Sequence, residues 1–227
     1  FGVGRSAADA VLTCVETFGQ EVGQWLKVAG GDKALVTEDA LRRCSLSHGE
    51  ISAEFGAFVG YSAIRFSRRL QTDASSVLPS SPELRWPCVA RPMGASFEVD
   101  PIHAAVARRL VDLAELSGSA EIWLGLLQDT APLILERTGA ASAAFCFMDQ
   151  RGTTFHEDLA QLESLGALPT RAVVTADNVN KPGAPVFLWH MTCTSRFSTR
   201  LWSMGEFASG AVEDWQSVSL GGPVQKK

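Results

Sequence analysis

Two segments of this chain are apolar on both faces. Ala143 to Met148 runs without a polar residue into Asp149, and Arg171 to Ala176 carries a second run into Asp177. A strand with one side in water alternates polar and apolar positions, so a strand that does not alternate must be covered above and below. Such strands require a parallel sheet with helices on both faces, and the remaining pattern supplies those helices. Ile51 to Ala57 reads as a first strand, Tyr61 to Leu70 as the following helix, Ser96 to Val99 and Glu121 to Gly125 as further strands. Pro101 opens a helix where proline costs least. There Ile102, Val106, Leu110 and Leu113 keep the spacing of a buried face, with Arg108, Arg109, Asp112 and Glu115 outward. Asp129 to Arg137 gives another helix, and two more strand candidates lie near Ser195 to Leu201 and Val212 to Leu220. Residues 1–45 read as helices, Ala7 to Phe18 and Thr37 to Arg43 among them. The expected fold class is α/β, a doubly wound, mostly parallel sheet with helices on both faces.

With 227 residues and 46% hydrophobic content, one domain over 1–227 can bury roughly 70% of its unfolded surface without staples. One stretch interrupts it: residues 71–94 hold Pro79, Pro82, Pro87 and Pro92 among serines, a surface insertion that could serve as a lid or dock protein partners. The net charge of −5 is the wrong sign for gripping nucleic acid by its phosphates. No apolar run approaches the ~20 residues of a spanning helix. The five cysteines are scattered, odd in number and form no CxxC pair, which points away from a disulfide framework or zinc site and toward a reducing compartment, cytoplasm or organelle interior. The chain begins at Phe1, so a processed product or a fragment is expected. Of the histidines, His48, His103 and His190 read as surface or core residues, and Trp123, Trp202 and Trp215 as core.

Ligands of an open parallel sheet sit beyond the carboxyl ends of its strands. The residues there are Glu54 with its turn Gly56-Ala57-Phe58-Val59-Gly60, Glu98, Asp149, and the pair Asp177-Asn178. Glycines let a backbone approach a ligand, and an acid ending the next strand can accept hydrogen bonds from both hydroxyls of a ribose. No GxGxxG turn, P-loop lysine or GxSxG elbow accompanies them, which disfavours dehydrogenase and hydrolase chemistry. A nucleoside without a crowded phosphate, such as S-adenosylmethionine, fits better. Asp149, Asp177 and Asn178 are hard oxygen donors suited to Mg²⁺, although aspartates also end strands to cap the next helix.

The stretches Gly56 to Arg65 and, more specifically, Ala176-Asp177-Asn178-Val179-Asn180-Lys181-Pro182-Gly183-Ala184-Pro185 resemble the catechol O-methyltransferase family, from about Trp25 to Pro223. The resemblance implies a Rossmann-like methyltransferase sheet, mostly parallel with an antiparallel C-terminal strand, and transfer of a methyl from S-adenosylmethionine, assisted by Mg²⁺, to a small aromatic vicinal diol. It places Glu54, Gly56, Gly60, Tyr61 and Ser62 around the methionine end of the cofactor, Glu98 on the ribose and Gln128 on the adenine. It makes Asp149, Asp177 and Asn178 the metal ligands. Glu206 would hold the second catechol hydroxyl, and Trp25 and Pro182 would form apolar walls of the substrate slot.

The chain departs from the family where a lysine follows the first metal aspartate by three residues. That place is Gly152, and Leu127 replaces a polar neighbour of Gln128. Arg151 stands next to Gly152 at the reacting end, where the family has an aromatic wall, but arginine stays protonated and is no base. His156 and Lys181 are the substitutes near in sequence. The expected function is therefore a methyltransferase acting on a catechol-like diol. The alternative is a catalytically weakened methyltransferase-like module serving as scaffold or subunit of a larger complex.

Overall fold

The computed structural model describes residues 6–23, 25–44, 46–47, 50–76, 93–138, 143–207 and 212–222. The two apolar runs form adjacent parallel strands, β4 (Ala143–Met148) and β5 (Val173–Ala176), paired from Phe145↔Val173 to Met148↔Ala176. Every residue of β4 is fully buried. The ladder carries past the last pair, since the Asp177 amide donates to the Met148 carbonyl at 2.9 Å. Asp149 and Asp177 therefore leave neighbouring strands at the same end of the sheet.

Around this centre stand β1 (Ile51–Phe55), β2 (Met93–Glu98), β3 (Ala120–Leu124), β6 (Phe197–Gly205) and β7 (Glu213–Gly221). The order is β3-β2-β1-β4-β5-β7-β6, with β7 and β6 antiparallel. The helices are α1 (Ala7–Glu21), α2 (Asp32–Cys44), α3 (Tyr61–Ser76), α4 (Pro101–Leu113), α5 (Leu127–Thr138), α6 (Phe155–Ser164) and α7 (Pro185–Cys193). Helices α1 to α4 pack on one another, and α6 packs on both α5 and α7. This is the doubly wound Rossmann-like arrangement, with the antiparallel strands at the C-terminal end. Among the described residues no helix is long and apolar enough to cross a membrane.

Four expectations change. Helix α4 buries Ala104, Ala107 and Val111, while Ile102 is 72% exposed and Val106 and Leu113 also face outward. The reason is closeness: the position a Cβ would take at Gly60 lies 3.0 Å from the Ala107 Cβ, and only a small-residue face can approach that far. Trp202, expected in the core, lies exposed on the edge strand β6, whereas Trp123 and Trp215 are half-buried against the core. Helix α6, whose Phe155, Leu159 and Leu162 are buried, has no counterpart among the helices expected from the sequence. The proline-rich insertion has structured ends, because α3 runs on through residues 71–76 and β2 begins at Met93. Its interior, with all four prolines, lies outside the described residues, as do His48 and the last residues of the chain.

The α4 assignment makes a direct prediction. Ala107→Leu overpacks the helix against the glycine turn and is expected to cost about 1–3 kcal/mol. Ile102→Ser changes an outward residue and stays within about 0.5 kcal/mol. Urea midpoints of the two variants check both values.

Candidate functional site

At the carboxyl end of the sheet a cavity of about 550 Å³ is lined by Asp149, Asp177, Asn178, Lys181, Pro182, Glu206 and Asp214, with Lys27 to Ala29 closing one side. Each element delivers its group locally. Asp149 and Asp177 follow β4 and β5. Asn178 sits in a left-handed conformation (φ 54°), opening a tight turn in which the Gly183 amide donates to the Asn178 carbonyl at 3.1 Å. Glu206 follows β6, and Asp214 lies on β7.

Helix α2 contributes a group that was not anticipated. Lys33 is 1% exposed, and its ammonium donates to Glu206 Oε1 at 2.8 Å, Asp214 Oδ2 at 3.0 Å and Asp177 Oδ2 at 3.1 Å. Burial opposes its charge, but Asp177, Glu206 and Asp214 outweigh burial and hold the ammonium protonated well above the ordinary lysine range. Asp214 feels the same opposition and ends below the usual carboxylate range because Lys33 and Asn178 bond it. The Asn178 amide donates to Asp214 Oδ2 at 2.6 Å and Glu206 Oε1 at 3.2 Å.

One lysine does not balance this many acids. Burial first, then Asp177 and Glu54, push Asp149 well above the usual carboxylate range. Burial also raises Asp177, with Lys33 opposing. Lys33 Nζ comes within 3.0 Å of Asp177 Oδ1, yet that buried oxygen receives no well-directed hydrogen bond. Two carboxylates, one with an oxygen lacking a donor, and an amide oxygen fit a hard divalent cation that keeps some water. Among the described residues no group of three or more His, Cys, Asp or Glu side chains is arranged to hold a metal.

A second cavity of about 430 Å³ adjoins the first, lined among others by Gly56, Phe58, Glu98, Gln128, Gln150, Arg151 and Asp158. Its acid is fixed by backbone. Glu98 Oε2 accepts from the Phe58 amide at 2.6 Å, and Oε1 accepts from the Val99 and Asp100 amides, each at 2.9 Å. Lys27, Asp149 and Asn178 line both cavities and form the partition between them.

Several expected site residues do not reach a cavity wall. Gly60 packs on Ala107. Tyr61 is buried, and its hydroxyl bonds Glu16 of α1 and Arg65 of α3. Glu54 is 2% exposed and receives the hydroxyls of Ser96, at 2.6 Å, and of Ser62. Burial pushes the Glu54 carboxyl up to about 7 despite those hydroxyls. Glu54 and Ser62 thus support the glycine turn from beneath. Trp25 is 69% exposed and meets Phe18 edge-on, and Lys27, two residues later, takes the wall position instead. Gly152 has no room for a side chain, since a Cβ there would lie 2.6 Å from the Gly183 carbonyl oxygen. His156 lines neither cavity, and its Nδ1 is buried without a hydrogen bond. Lys33, Asp214 and Lys27 were the residues missed. For the two lysines the one sequence signal is scarcity, since the chain has only five lysines against fifteen arginines, and Asp214 carries none.

No protein-family model matches the chain. The catechol O-methyltransferase of Sus scrofa is 31% identical over 170 residues, 75% of this chain and 82% of that protein. The catechol O-methyltransferase of Bos taurus is 28% identical over 219 residues, 95% of this chain and 72% of that protein. The O-methyltransferase TomG of Streptomyces achromogenes, solved in complex with SAM, has a TM-score of 0.70 at 20% identity, covering 95% of this chain and 91% of that one. An O-methyltransferase of Bacillus cereus solved with SAH gives 0.67 at 15%, covering 97% and 93%. At these identities the structural likeness concerns the fold.

Two outcomes follow from the charge arrangement. Lys33→Met leaves three carboxylates without their shared cation and is expected to cost about 3–5 kcal/mol, read as a lowered urea midpoint and partly recovered by adding Asp214→Asn. Glu54, with its folded pKa raised from 4.5 to about 7, contributes stability that is complete below pH 4.5 and lost as pH rises through 7. Relative to Glu54→Gln, the natural chain should therefore lose on the order of 3 kcal/mol across that window. A pH series of thermal midpoints showing no such divergence would contradict the assignment.

Proposed function

The chain belongs to the catechol O-methyltransferase family and is an O-methyltransferase, and on that premise we propose that it methylates one hydroxyl of a catechol-like vicinal aromatic diol, using S-adenosylmethionine and Mg²⁺. The observation that carries this reading is the pair of cavities sharing Asp149 and Asn178 as a wall, one rich in acids and the other holding Glu98.

Each residue has a task that its surroundings support. Glu98 is aimed by three backbone amides, which take three of its roughly four lone-pair sites and leave one, on Oε2, for a ribose hydroxyl. Gly56, at φ 94°, turns the chain against the Asp149 carbonyl, where a Cβ would lie 2.8 Å away, so the turn and the strand end are held together. Gln128 bounds the far side of the same cavity, toward the base, and Arg151 supplies a cationic rim. Asp149, Asp177 and Asn178 would hold the metal, which when bound polarises the two diol oxygens and acidifies one of them. When bound, the cofactor supplies a sulfonium methyl as the electrophile. Glu206 stands on the acid side to accept the second hydroxyl, and Pro182 offers an apolar face to the ring. The chain's work is to align oxygen and methyl and to keep the site's charges fixed while they react.

The test separates binding from turnover. Calorimetry with S-adenosylmethionine should show binding that Glu98→Ala weakens about 10- to 150-fold, the loss of a hydrogen-bonded charge. Label from the cofactor methyl should appear on catechol when Mg²⁺ is present and disappear with a chelator. Binding without transfer would favour the weakened module, a reading motivated by Gly152. Cofactor affinity unchanged in Glu98→Ala would overturn the assignment of the second cavity.

A further inference from the structure

We propose that the substrate carries an anionic group, such as a carboxylate, on the side of the ring opposite the diol, and that Lys27, Lys181 and Arg151 select for it; this names a substrate class for the methyltransferase site and rests on the reading above. The chain is acidic overall, with a net charge of −5, and most of its cations are spent within the fold. Lys33 is buried among three carboxylates, and Arg42, Arg43, Arg65, Arg68, Arg171 and Arg196 each pair with an acid. The side chains of Lys27, Lys181 and Arg151 make neither an ion pair nor a hydrogen bond among the described residues. Arg109 and Arg200, exposed away from the cavities, share that state. Three cations left free in an acidic chain are thus gathered at one site.

Their place is the mouth. Lys181 lines the acid cavity, Arg151 the adjoining one and Lys27 both, and all three are exposed. The acids lie deeper. Asp177 and Asp214 are 3% and 1% exposed, and Lys33 and Asn178 hold Glu206 and Asp214 from within. The acids leave the Lys181 ammonium free, since it is the Lys181 backbone amide that donates to Asp214 Oδ1, at 3.2 Å.

Acids at the floor and cations at the mouth sort the two ends of a molecule. With the diol at the floor, a substituent on the far side of the ring reaches the mouth, where the local field attracts an anion and repels an ammonium. Two of the three cations also stand where an apolar wall was expected: Lys27 lines the cavity instead of the exposed Trp25, and Arg151 occupies the aromatic position. Charge has replaced apolar contact at the positions nearest that substituent.

Two catechols of matched length decide it, one bearing an acetate side chain and the other an ethylamine, so that the far end is an anion or a cation at neutral pH. Their affinities are measured by calorimetry with S-adenosylhomocysteine and Mg²⁺ present, for the natural chain, Lys181→Gln and the triple variant Lys27→Gln, Lys181→Gln, Arg151→Gln, each with an unchanged urea midpoint. An exposed charge contact is worth about two- to fivefold. The natural chain should therefore bind the acid about tenfold more tightly than the amine, with the ratio shrinking as salt is added. Lys181→Gln should lower the ratio about two- to fivefold, and the triple variant should abolish it. Equal affinities in the natural chain, or a ratio that survives the triple substitution, would overturn the proposal and leave the methyltransferase reading intact, provided catechol itself is methylated. A surviving ratio with weakened binding of S-adenosylhomocysteine would assign the three cations to the cofactor's own carboxylate and overturn the proposal as well. A natural chain that binds cofactor but methylates none of the three diols would overturn both.

Discussion

The carboxyl end of the sheet depends on one buried ammonium. Lys33 lies 144, 173 and 181 residues from the acids it binds, and those acids follow β5, follow β6 and lie on β7. Burying a charge costs several kcal/mol unless geometry and hydrogen bonds compensate it. Here the ammonium spends all three N–H groups on carboxylate oxygens at 2.8–3.1 Å. The contact draws α2 over the strand ends and sets the positions of Asp177 and Glu206. Without it, the acids would repel one another and the segment Lys27 to Ala29, which leads into α2, would lose its seat on the cavity.

Around that anchor the site divides its electrostatic labour. In the acid cavity burial, and behind it the neighbouring carboxylates, raises Asp149 and Asp177 above the usual carboxylate range. The adjoining cavity has a single acid presented by backbone amides at its wall, Glu98, and an arginine at its rim. The two ligands proposed above, a hard cation and a hydroxyl-bearing nucleoside, would thus be kept apart. Asp149 is common to both walls, so any change in its charge is felt in both.

The centre of the fold was legible because β4 and β5 are apolar on both faces, and their parallel register delivers Asp149 and Asp177 to one end without further information. The same logic placed Glu98. Where reading failed, the cause was packing between segments distant in sequence. On α4, the larger side chains of Ile102, Val106 and Leu113 outweighed Ala104 and Ala107 as a hydrophobic signal, yet the alanines face inward because the Gly60 turn leaves no room. Lys33 sits in a polar helix and reads as a solvated residue, and nothing local announces acids more than 140 positions away. Trp25 was the conspicuous aromatic of its loop. The chain turned it outward and presented the plainer Lys27. Family resemblance pointed to the glycine turn but could not tell which of its members touch the cavity and which, like Tyr61 and Glu54, brace it from below.

The clamp on Glu98 has a consequence for recognition. Most glutamates on a protein surface must surrender rotamer freedom when they engage a ligand, a loss of about 0.5–1.5 kcal/mol for a side chain of this kind. Glu98 has surrendered it during folding, to amides contributed by the glycine turn and by the entry to α4. Its carboxylate is a rigid fixture of the scaffold, so the sugar proposed to dock here would meet a receptor already in its final shape, with affinity decided by fit and not by ordering.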